Sequence, residues 1–440
     1  MGVKPIFVVA FLCAGVLAWL SSAACAQDEP VLGPFIGHVD SETAVLWARV
    51  PGGGTCALRL IPEKGRPLIQ VARPSEATDW TARWTFTNLQ PDSIYRYELL
   101  RNGVVVARGD DQRFTTPPTP HAVSSVRIAF ATCAYEDEST RAVWRRIKQS
   151  DITALVLGGD TPYIDSTDLA VQNRRYREFA SVPEMMELMR SIPNWSTWDD
   201  HDFGKNDSDG TLPGKENARQ AFLNYRAQVS YGLNDEGIFT KFRHGPVEVF
   251  MIDARWFSWT GPSFADPSKK TLLGEAQWRW LCEGLRASDA PFKLLITGIM
   301  WHDKQNKEKD DWGTYPHELD ALFNFIREEK IEGVVLVGGD VHCSRIYRHT
   351  PSVSVGYPIY ELVSSPAHSR TIPALNIKHP NVVRAAVVPN TFLLIEVDRS
   401  ENGDDATLRA KFLDSKGERL FDDLELKASE LKLRVEEVSG

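Results

Sequence analysis

Cysteine is scarce in this sequence of 440 residues, which contains only six. Two of them, Cys13 and Cys25, lie in an apolar N-terminal segment, and the other four are widely spaced. Four scattered cysteines exclude the disulfide framework that holds many small secreted domains together. The fold must therefore rest on a hydrophobic core, and a chain of this length can form one in two or three domains.

The sequence also lacks a basic excess and any long apolar run beyond residue 20. Its formal net charge of -9 argues against a nucleic-acid-binding face. No later run reaches the length needed to span a membrane, and no repeat of the solenoid type is present. A hydrophobic share of 42% and a charged share of 25% are ordinary for a globular protein.

Residues 1–26 have the pattern of a secretory signal peptide. A lysine precedes an apolar run over 6–20, and Ala24-Cys25-Ala26 gives a small-residue cleavage site. Cleavage after Ala26 is predicted, and with it export to the periplasm or the extracellular space. The alternative is a lipoprotein signal with Cys25 as the acylated residue, for which Ser22 three positions earlier is a poor match.

Residues 30–118 are predicted to form an all-β domain. Short apolar strands alternate with turn signals, of which Asn102-Gly103 between two apolar strands is the strongest. Strands of this length and spacing predict a sandwich of the fibronectin type III or immunoglobulin kind. The stretch from Leu89 to Tyr95 resembles the tyrosine corner of fibronectin type III domains. A Pro-rich linker at 115–120 marks the boundary.

After the linker the pattern changes to alternating strands and helices, which predicts a layered α/β core over residues 119–427. We expect helices at about 140–148, 170–190, 215–230, 274–286 and 317–329. We expect strands at about 126–131, 155–157, 247–253, 293–299 and 334–337, and a closing hairpin at 391–397 and 406–412. The charged residues 428–440 are expected to form a weakly ordered C-terminal tail.

Two segments of the predicted core share one pattern. Residues 155–160 and 334–340 are each an apolar run followed by Gly-Gly-Asp. Each run is too short for a buried helix and is typical of a buried strand whose carboxyl end presents the aspartate. Tyr163 follows the first aspartate, and His342 follows the second. Two carboxylates presented in this way indicate a site for hard metal ions.

The run Asp199-Asp200-His201-Asp202 places three carboxylates and a histidine in four consecutive residues. Such carboxylates repel each other unless cations or hydrogen bonds compensate their charge. A solvated acidic loop is the alternative interpretation. The large apolar side chains of Trp198 and Phe203 make full exposure unfavourable, and metal binding is therefore favoured.

Tyr163 and Cys133 bear on the identity of the metal. A tyrosine ligand binds as phenolate, although the free phenol has a pKa of about 10. Only a strongly acidic cation holds that proton off near neutral pH, and ferric iron is the natural choice. A Cys133 thiolate suits the same ion. The other ligand atoms are mostly oxygens, which suit a divalent ion such as Ca²⁺, Mg²⁺ or Mn²⁺.

In chain order, Gly159-Asp160-x-x-Tyr163, Asp200-His201 and Gly339-Asp340-x-His342 resemble the motifs of the PhoD-like alkaline phosphatases. These are calcineurin-like metallophosphoesterases with an iron–tyrosinate related to that of purple acid phosphatases. Asp200-His201 stands where other calcineurin-like phosphoesterases carry Asn-His. Residues 273–281 and 312–316 also resemble family signatures, so the resemblance spans nearly the whole mature chain. It implies a four-layer α/β/β/α metallophosphoesterase core after the sandwich.

Carried onto this sequence, the resemblance implies two kinds of metal ligand. Cys133, Asp160 and Tyr163 would hold Fe³⁺, with Asp160 bridging to a second metal. Asp200 would bind the divalent ion, Ca²⁺ in the first place and otherwise Mg²⁺, Mn²⁺ or Zn²⁺. The remaining ligands would be Asp340 and His342.

Other polar residues receive supporting roles. His201 would face the phosphate and either stabilise the transition state or protonate the leaving oxygen. Arg255 is a candidate phosphate clamp, with an ion pair to Asp253 or another neighbour as an equal alternative. Asn206 and Asp199 are second choices, as ligands or as partners of ligands.

The sequence departs from the family at two points. Secreted, iron-loaded members often carry a twin-arginine signal, whereas this N-terminus has no arginine pair. Export in the unfolded state, with metal acquired outside, is therefore expected. His302 follows a predicted strand, as a histidine ligand does in purple acid phosphatases, but PhoD-like proteins usually lack a clear equivalent.

The sequence thus predicts an exported phosphatase of the alkaline phosphatase D type that acts on small phosphate esters through a metal-bound hydroxide. Monoesters are the expected substrates and diesters an extension of them. One alternative is a phosphodiesterase or a phospholipase D-like hydrolase. An alternative of another class is a cell-envelope binding protein with structural metals. Against it stand Tyr163, Asp200 and His201, because a structural site needs no unshared histidine beside it.

Overall fold

The computed structural model describes residues 29–305, 308–350, 355–399 and 405–433. The predicted signal peptide and residues 434–440 of the predicted tail lie outside these ranges. The first residues of that tail, Ala428–Leu431, form a 3₁₀-helix in which Leu431 is buried. No helix in the described ranges has both the length and the apolar character needed to cross a membrane.

The N-terminal region is all-β, as predicted. Its strands are β1 (Leu32–Val39), β2 (Ala44–Arg49), β3 (Cys56–Pro62), β4 (Leu68–Ala72), β5 (Thr81–Phe86), β6 (Ile94–Arg101), β7 (Val104–Ala107) and β8 (Arg113–Thr115). One sheet has the order β1-β2-β5, and the other has the order β4-β3-β6-β7, with β8 also paired to β6. Side chains from both sheets, among them Ile36, Leu46, Leu58 and Tyr97, form one buried cluster.

Two local predictions in this region are confirmed. Asn102 and Gly103 join β6 to β7 with φ values of 49° and 84°. Positive φ at both positions suits the tight hairpin turn for which Asn-Gly is preferred. The Gln90 N–H donates to Tyr95 Oη at 2.9 Å, which is the backbone contact expected of a tyrosine corner.

Two larger, mixed sheets follow. Their strands are β9 (Ser124–Ala131), β10 (Ala154–Gly158), β11 (Asn194–Thr197), β12 (Thr240–His244), β13 (Val247–Met251), β14 (Phe292–Ile296), β15 (Val334–Gly338), β16 (Ser344–His349), β17 (Ile359–Val363), β18 (Val382–Ala386), β19 (Thr391–Arg399), β20 (Thr407–Asp414) and β21 (Leu424–Lys427). The six-stranded sheet has the order β11-β10-β9-β19-β20-β21. The seven-stranded sheet has the order β12-β13-β14-β15-β17-β16-β18. The predicted closing hairpin is the pair β19–β20.

The helices are α1 (Glu138–Gln149), α2 (Leu169–Ala180), α3 (Pro183–Met189), α4 (Asp200–Phe203), α5 (Lys215–Tyr225), α6 (Gly274–Ala287) and α7 (Pro316–Glu328). Side chains alternate along β9, so that Ile128 belongs to the apolar cluster between the two sheets and Ala129 faces the other way. Helices α1, α2, α3 and α5 pack on the latter face. Helices α6 and α7 contribute Leu281 and Leu322 to the cluster that contains the seven-stranded sheet.

Two helix predictions need correction. The single helix expected at about 170–190 is two helices, because Pro183 begins α3 and holds Val182 in extended backbone. The helix expected to reach residue 230 ends at Tyr225, after which Arg226 adopts extended backbone. The buried guanidinium of Arg226 then donates to the Thr161 carbonyl oxygen.

The sandwich contacts the six-stranded sheet at its edge strand β11. Asn194 Nδ2 donates to the Ile36 carbonyl oxygen at 2.7 Å. Trp195 Nε1 donates to His38 Nδ1 at 3.1 Å. Because β11 ends two residues before Asp199, these bonds fix the strand that leads into the acidic run.

Candidate metal centre

The predicted ligand segments all follow strands of the two large sheets. Cys133 follows β9, Asp160 follows β10, the acidic run Asp199–Asp202 follows β11, and Asp340 and His342 follow β15. Strands β9, β10 and β11 are parallel, as are β13, β14 and β15, and parallel strands present their carboxyl ends at one edge. The two edges meet, which brings the four predicted segments together.

Glycines permit this meeting of backbones. A Cβ atom added to Gly339 would lie 2.6 Å from Thr132 Cγ2, so the end of β15 lies directly against the end of β9. Gly159 has a φ of 106°, and an added Cβ atom would lie 2.6 Å from Asp199 Cβ. Only glycine accepts both the close contact and the positive φ. The Gly-Gly-Asp pattern therefore reflects the approach of two strand ends as well as the placing of a carboxylate.

Asp160 lies at the centre of the cluster and is buried. One of its carboxylate oxygens is 3.6 Å from Cys133 Sγ, and the other accepts the His201 N–H at 3.3 Å. Metal-ligating atoms of Asp160, Asp200 and His201 all lie within 4.8 Å of one another. Burial, followed by the neighbouring Asp200 and Asp199 carboxylates, raises the pKa of Asp160 well above its usual range.

The three carboxylates of the acidic run take different roles. Asp199 caps α4, and the Asp202 carboxylate accepts the Asp199 N–H at 2.5 Å in a capping box. Asp202 is thereby turned into the protein interior. Asp200 instead faces Asp160, and its second oxygen accepts the Asp207 N–H at 2.6 Å. Of the three carboxylates, Asp200 is thus the one placed to bind a metal.

A second ligand group contains two residues that the sequence analysis missed. Oxygens of Asp200, Asp207 and Asp310 lie within 4.8 Å of one another. Asp207 is exposed, whereas Asp310 is buried. A sequence signal existed for Asp207, which follows the acidic run by five residues. Asp310 lies in a loop rich in charged residues, where no pattern distinguishes it.

Tyr163 lies between two histidines. Its Oη is 3.2 Å from His342 Nε2 and 3.1 Å from His368 Nε2. His368 Nδ1 accepts a hydrogen bond from the backbone N–H of Arg370 at 3.0 Å. The ring proton is therefore on Nε2, which donates a hydrogen bond to Tyr163 Oη. Burial raises the pKa of the Tyr163 phenol and lowers those of His342 and His368, to about 4 and about 3.

His368 was missed by the sequence analysis. It follows β17 and the polar segment Ser364-Ser365, which is the same strand-end arrangement that marked the other ligands. Its backbone N–H donates to the Cys133 carbonyl oxygen at 3.0 Å. The Ser365 hydroxyl donates to Cys133 Sγ at 3.2 Å. The presence of polar residues after an apolar strand is the signal that would have identified Ser365 and His368.

Asp340 pairs with a lysine that the sequence analysis also missed. The Lys304 ammonium group contacts the Asp340 carboxylate and lies 2.7 Å from Asp310 Oδ1. Although burial opposes its charge, these two carboxylates raise the pKa of Lys304 well above its usual range. Burial raises the pKa of Asp340 to about 7 in spite of the lysine. Lys304 thus holds one positive charge between Asp340 and the second ligand group, to which Asp310 belongs.

For Arg255, the structure favours the ion pair over the phosphate clamp. Its guanidinium is buried, with Nε donating to Asp199 Oδ1 at 2.7 Å and Nη2 lying 3.4 Å from Asp310 Oδ2. Asp253 instead accepts the backbone N–H of Arg255, at 2.9 Å. Arg255 therefore fixes Asp199 and Asp310, while its outer edge lines a cavity beside Asp207.

The structure also separates the weaker candidates from the centre. His302 Nδ1 lies 2.8 Å from Glu361 Oε2, and its Nε2 accepts from Arg345 at 3.3 Å. Both ring nitrogens are thereby used, so His302 belongs to a buried hydrogen-bond network outside the ligand groups. Asn206 is exposed.

The side chains at the centre fit the binding of cations. Burial raises the pKa of Asp160 and Asp199 well above the usual range and that of Asp202 to about 7. In the described part of the chain, Asp199 Oδ2 and His342 Nδ1 are buried without a hydrogen-bond partner. Buried carboxylates in excess over Arg255 and Lys304 need further positive charge. Oxygen donors, with one thiol and neutral imidazoles, are a suitable donor set for metal ions.

Comparison with known proteins places the chain in a family. The model of the PhoD-like phosphatase family matches residues 128–394, which include every ligand candidate described above. The chain therefore belongs to the PhoD-like phosphatases, and the resemblance found in the motifs is confirmed. Alkaline phosphatase D of Bacillus subtilis (strain 168) is 23% identical over 380 residues. That match covers 71% of this chain and 64% of the Bacillus protein, which is less than two thirds of its length.

Two solved structures show the same fold. A structure of PhoD has a TM-score of 0.72 at 16% identity and covers 92% of each chain. Purple acid phosphatase PPD1 from yellow lupin (Lupinus luteus) seeds has a TM-score of 0.69 at 12% identity. That match covers 91% of this chain and 75% of the lupin chain. The mixed sheets and the all-β N-terminal region agree with the predicted fold class at this level.

Proposed function

We propose that this chain is a metal-dependent phosphoesterase that hydrolyses phosphate monoesters. The observation that carries this proposal is that Asp200 lies between two sets of carboxylate oxygens: that of Asp160, with His201 beside it, and those of Asp207 and Asp310. Metal ions bound there would polarise the phosphoryl group and lower the pKa of a coordinated water molecule. Membership of the PhoD-like family supports the same reaction class.

The ligand atoms divide by chemistry into two sets. Cys133, Asp160 and Tyr163 would hold Fe³⁺, because only a strongly acidic cation keeps a phenol and a buried thiol deprotonated near neutral pH. A divalent ion, Ca²⁺ in the first place, would take the all-oxygen set of Asp200, Asp207 and Asp310. Asp340 and His342 complete the centre between these sets.

His201 is placed to act on the substrate. Its Nδ1 lies 2.5 Å from Asp165 Oδ1, an exposed carboxylate that fixes the orientation of the ring. The other ring nitrogen is then free to donate a hydrogen bond or a proton. The ring centroid is 4.5 Å from that of Tyr163, at the solvent side of the cluster. His201 would protonate the leaving oxygen or stabilise charge on the phosphoryl group.

Diester hydrolysis is a second candidate function, and a cavity favours it. A cavity of about 320 Å³ adjoins the second ligand group and is lined by Asp207, Arg255 and Asp310 on the polar side. Its other walls include Trp259 and Tyr315. Such a cavity has room for the second organic group that distinguishes a phosphate diester from a monoester.

The finer features of fold and location belong to the same proposal. We infer a four-layer α/β/β/α core from residues 119–427, with a fibronectin-like sandwich at 30–118 and a tail at 428–440. Removal of residues 1–26 would accompany export to the periplasm or beyond. Small phosphate esters would be the partners of the mature protein.

Substitution of His201 by alanine tests the reaction. Turnover of a phosphate monoester should fall about 100-fold to 10,000-fold, which is the usual contribution of a general acid. The metal content measured by elemental analysis should remain that of the wild type, because Asp160 and Asp200 still bind the ions. Substitution of His379, a histidine outside the centre, is the control. Loss of metal in His201→Ala would make His201 a ligand, and no hydrolysis by any metal-loaded wild type would favour a binding protein.

Substitution of Tyr163 by phenylalanine tests the iron site. The ferric-loaded wild type should show a visible absorption band from tyrosinate-to-iron charge transfer, and Tyr163→Phe should lose it. His368→Ala removes a hydrogen bond to the same oxygen and should shift the band without abolishing it. Tyr135→Phe is the matched control, because the Tyr135 ring lies only 4.5 Å from that of Tyr163. An unchanged band in Tyr163→Phe contradicts the tyrosinate assignment.

A further inference from the structure

A phosphate group carries negative charge into a centre that is itself acidic. The two buried cations of the cluster, Arg255 and Lys304, are both bound to carboxylates. Their donors face Asp199, Asp310 and Asp340 and are not available to an incoming ligand. A further cation at the solvent side, one that is not paired with a carboxylate, would therefore strengthen the binding of a phosphate group.

Arg370 is such a cation. It is exposed, and its guanidinium carbon lies 5.2 Å from the centre of the Tyr135 ring. That ring stacks on His368 with centroids 4.6 Å apart and lies 4.5 Å from the Tyr163 ring. The backbone N–H of Arg370 donates to His368 Nδ1, as described above. Arg370 is thus one aromatic ring away from the candidate iron ligand, on the side that faces solvent.

The segment beneath Arg370, which contains Tyr135, is held in place by a second arginine. Arg175 Nη2 lies 2.8 Å from Glu136 Oε1, and Arg175 Nε donates to the Tyr163 carbonyl oxygen at 3.0 Å. These bonds tie the residue after Tyr135 to the ligand segment. The ring beneath Arg370 is therefore held in place, while the long arginine side chain can turn above it.

The guanidinium of Arg370 has no carboxylate within ion-pair distance among the residues that the structure describes. Arg286, which also lies over an aromatic ring, differs in this respect. Arg286 lies 4.9 Å from the Phe325 ring centre and is also paired with Glu329 at 2.7 Å. The planar donors of Arg370 are thus free to bind two oxygens of one anion.

We propose that Arg370 is the substrate-binding cation of the centre and that it binds the non-bridging oxygens of the phosphoryl group. The inference rests on the proposed function and extends it to a residue outside the metal ligands. It also favours dianionic phosphate groups, those of monoesters, over the singly charged group of a diester. The role anticipated for Arg255 thereby passes to an arginine in the loop after β17.

Calorimetric binding of inorganic phosphate to the metal-loaded full chain tests this proposal. Arg370→Met should weaken phosphate binding by about tenfold or more, since a charged two-donor contact is lost. Arg370→Lys keeps the charge and should recover part of the affinity. Arg286→Met, which removes an arginine stacked on an aromatic ring elsewhere, should leave it unchanged. Metal content and melting temperature should be those of the wild type in all three variants.

Steady-state kinetics provide the second measurement. In Arg370→Met, KM for a monoester should rise about tenfold while kcat changes by less than about threefold. The rise should be smaller for a diester with the same leaving group. Equal phosphate affinity in wild type and Arg370→Met overturns this inference alone. Absence of both phosphate binding and hydrolysis in the loaded wild type overturns the proposed function, and this inference with it.

Discussion

Substitution of Asp160 by asparagine is expected to remove metal from the centre and to lower turnover by at least about 1,000-fold. Asp160 is the residue in contact with both ligand sets: 3.6 Å from Cys133 Sγ and within 4.8 Å of Asp200 and His201. Asparagine has the same size but no charge, so the bridge between the sets is weakened without opening a cavity. Elemental analysis and the rate of monoester hydrolysis provide the measurements.

Asparagine is the right replacement for a conformational reason. Asp160 has a φ of 52°, and among residues with side chains asparagine and aspartate tolerate this left-handed region best. Asp151 has a φ of 48° and is exposed, so Asp151→Asn makes the same change at the same kind of backbone position. Full metal content and turnover in Asp160→Asn would remove Asp160 from the centre; loss of both in Asp151→Asn would indicate a general effect on folding.

Removal of metal should make stability fall as pH rises. Burial raises the pKa of Asp202 and Asp340 from 3.8 to about 7, and raises those of Asp160 and Asp199 well above the usual range. Between pH 3.8, the pKa of an ordinary aspartate, and these raised pKa values, the folded state binds more protons than the unfolded state. The free energy of unfolding therefore decreases with increasing pH. Bound cations compensate the same charges and should abolish the decrease.

Histidines act in the opposite direction at lower pH. Burial lowers the pKa of His342 to about 4 and of His368 to about 3, so these groups destabilise the fold as pH falls below their ordinary value of 6.5. Above that value these two histidines are neutral in both states. Melting temperatures with and without a chelator, measured from pH 6.5 to about pH 8, therefore report on the carboxylates of the centre without a contribution from these histidines. A metal-free protein whose melting temperature is constant or rises over this range contradicts the prediction.

The sequence carried enough information for the strand-borne part of the site. Asp160 and Asp340 stand at the ends of apolar runs too short for anything but buried strands, and the Gly-Gly pairs before them mark a close approach. The pattern did not encode which of the three carboxylates in the acidic run faces Asp160. That choice follows from the capping box, in which Asp202 folds back onto the Asp199 N–H and leaves Asp200 facing Asp160.

The loop-borne part could not be predicted in the same way. Lys304 and Asp310 come from one loop after β14, and their positions depend on how the seven-stranded sheet docks on the six-stranded sheet. The sequence could not decide whether Arg255 binds phosphate or forms an ion pair, because both roles use the same guanidinium. The carboxylates nearby decide it, since a buried arginine must be paired. The spacing of apolar residues likewise gave no sign of the break before Pro183. There, the conformational restriction that proline places on the preceding residue divides a longer helical pattern.

The bonds between the sandwich and β11 have a consequence for the unity of the molecule. Strand β11 is the edge of its sheet, and the Ile36 carbonyl oxygen and His38 ring cover it from outside. Without residues 30–118 this edge would face water, and unpaired edge strands invite association between chains. The acidic run begins two residues later, so its aspartates would lose their anchor at the same time. The N-terminal region therefore protects the edge strand that leads into the acidic run.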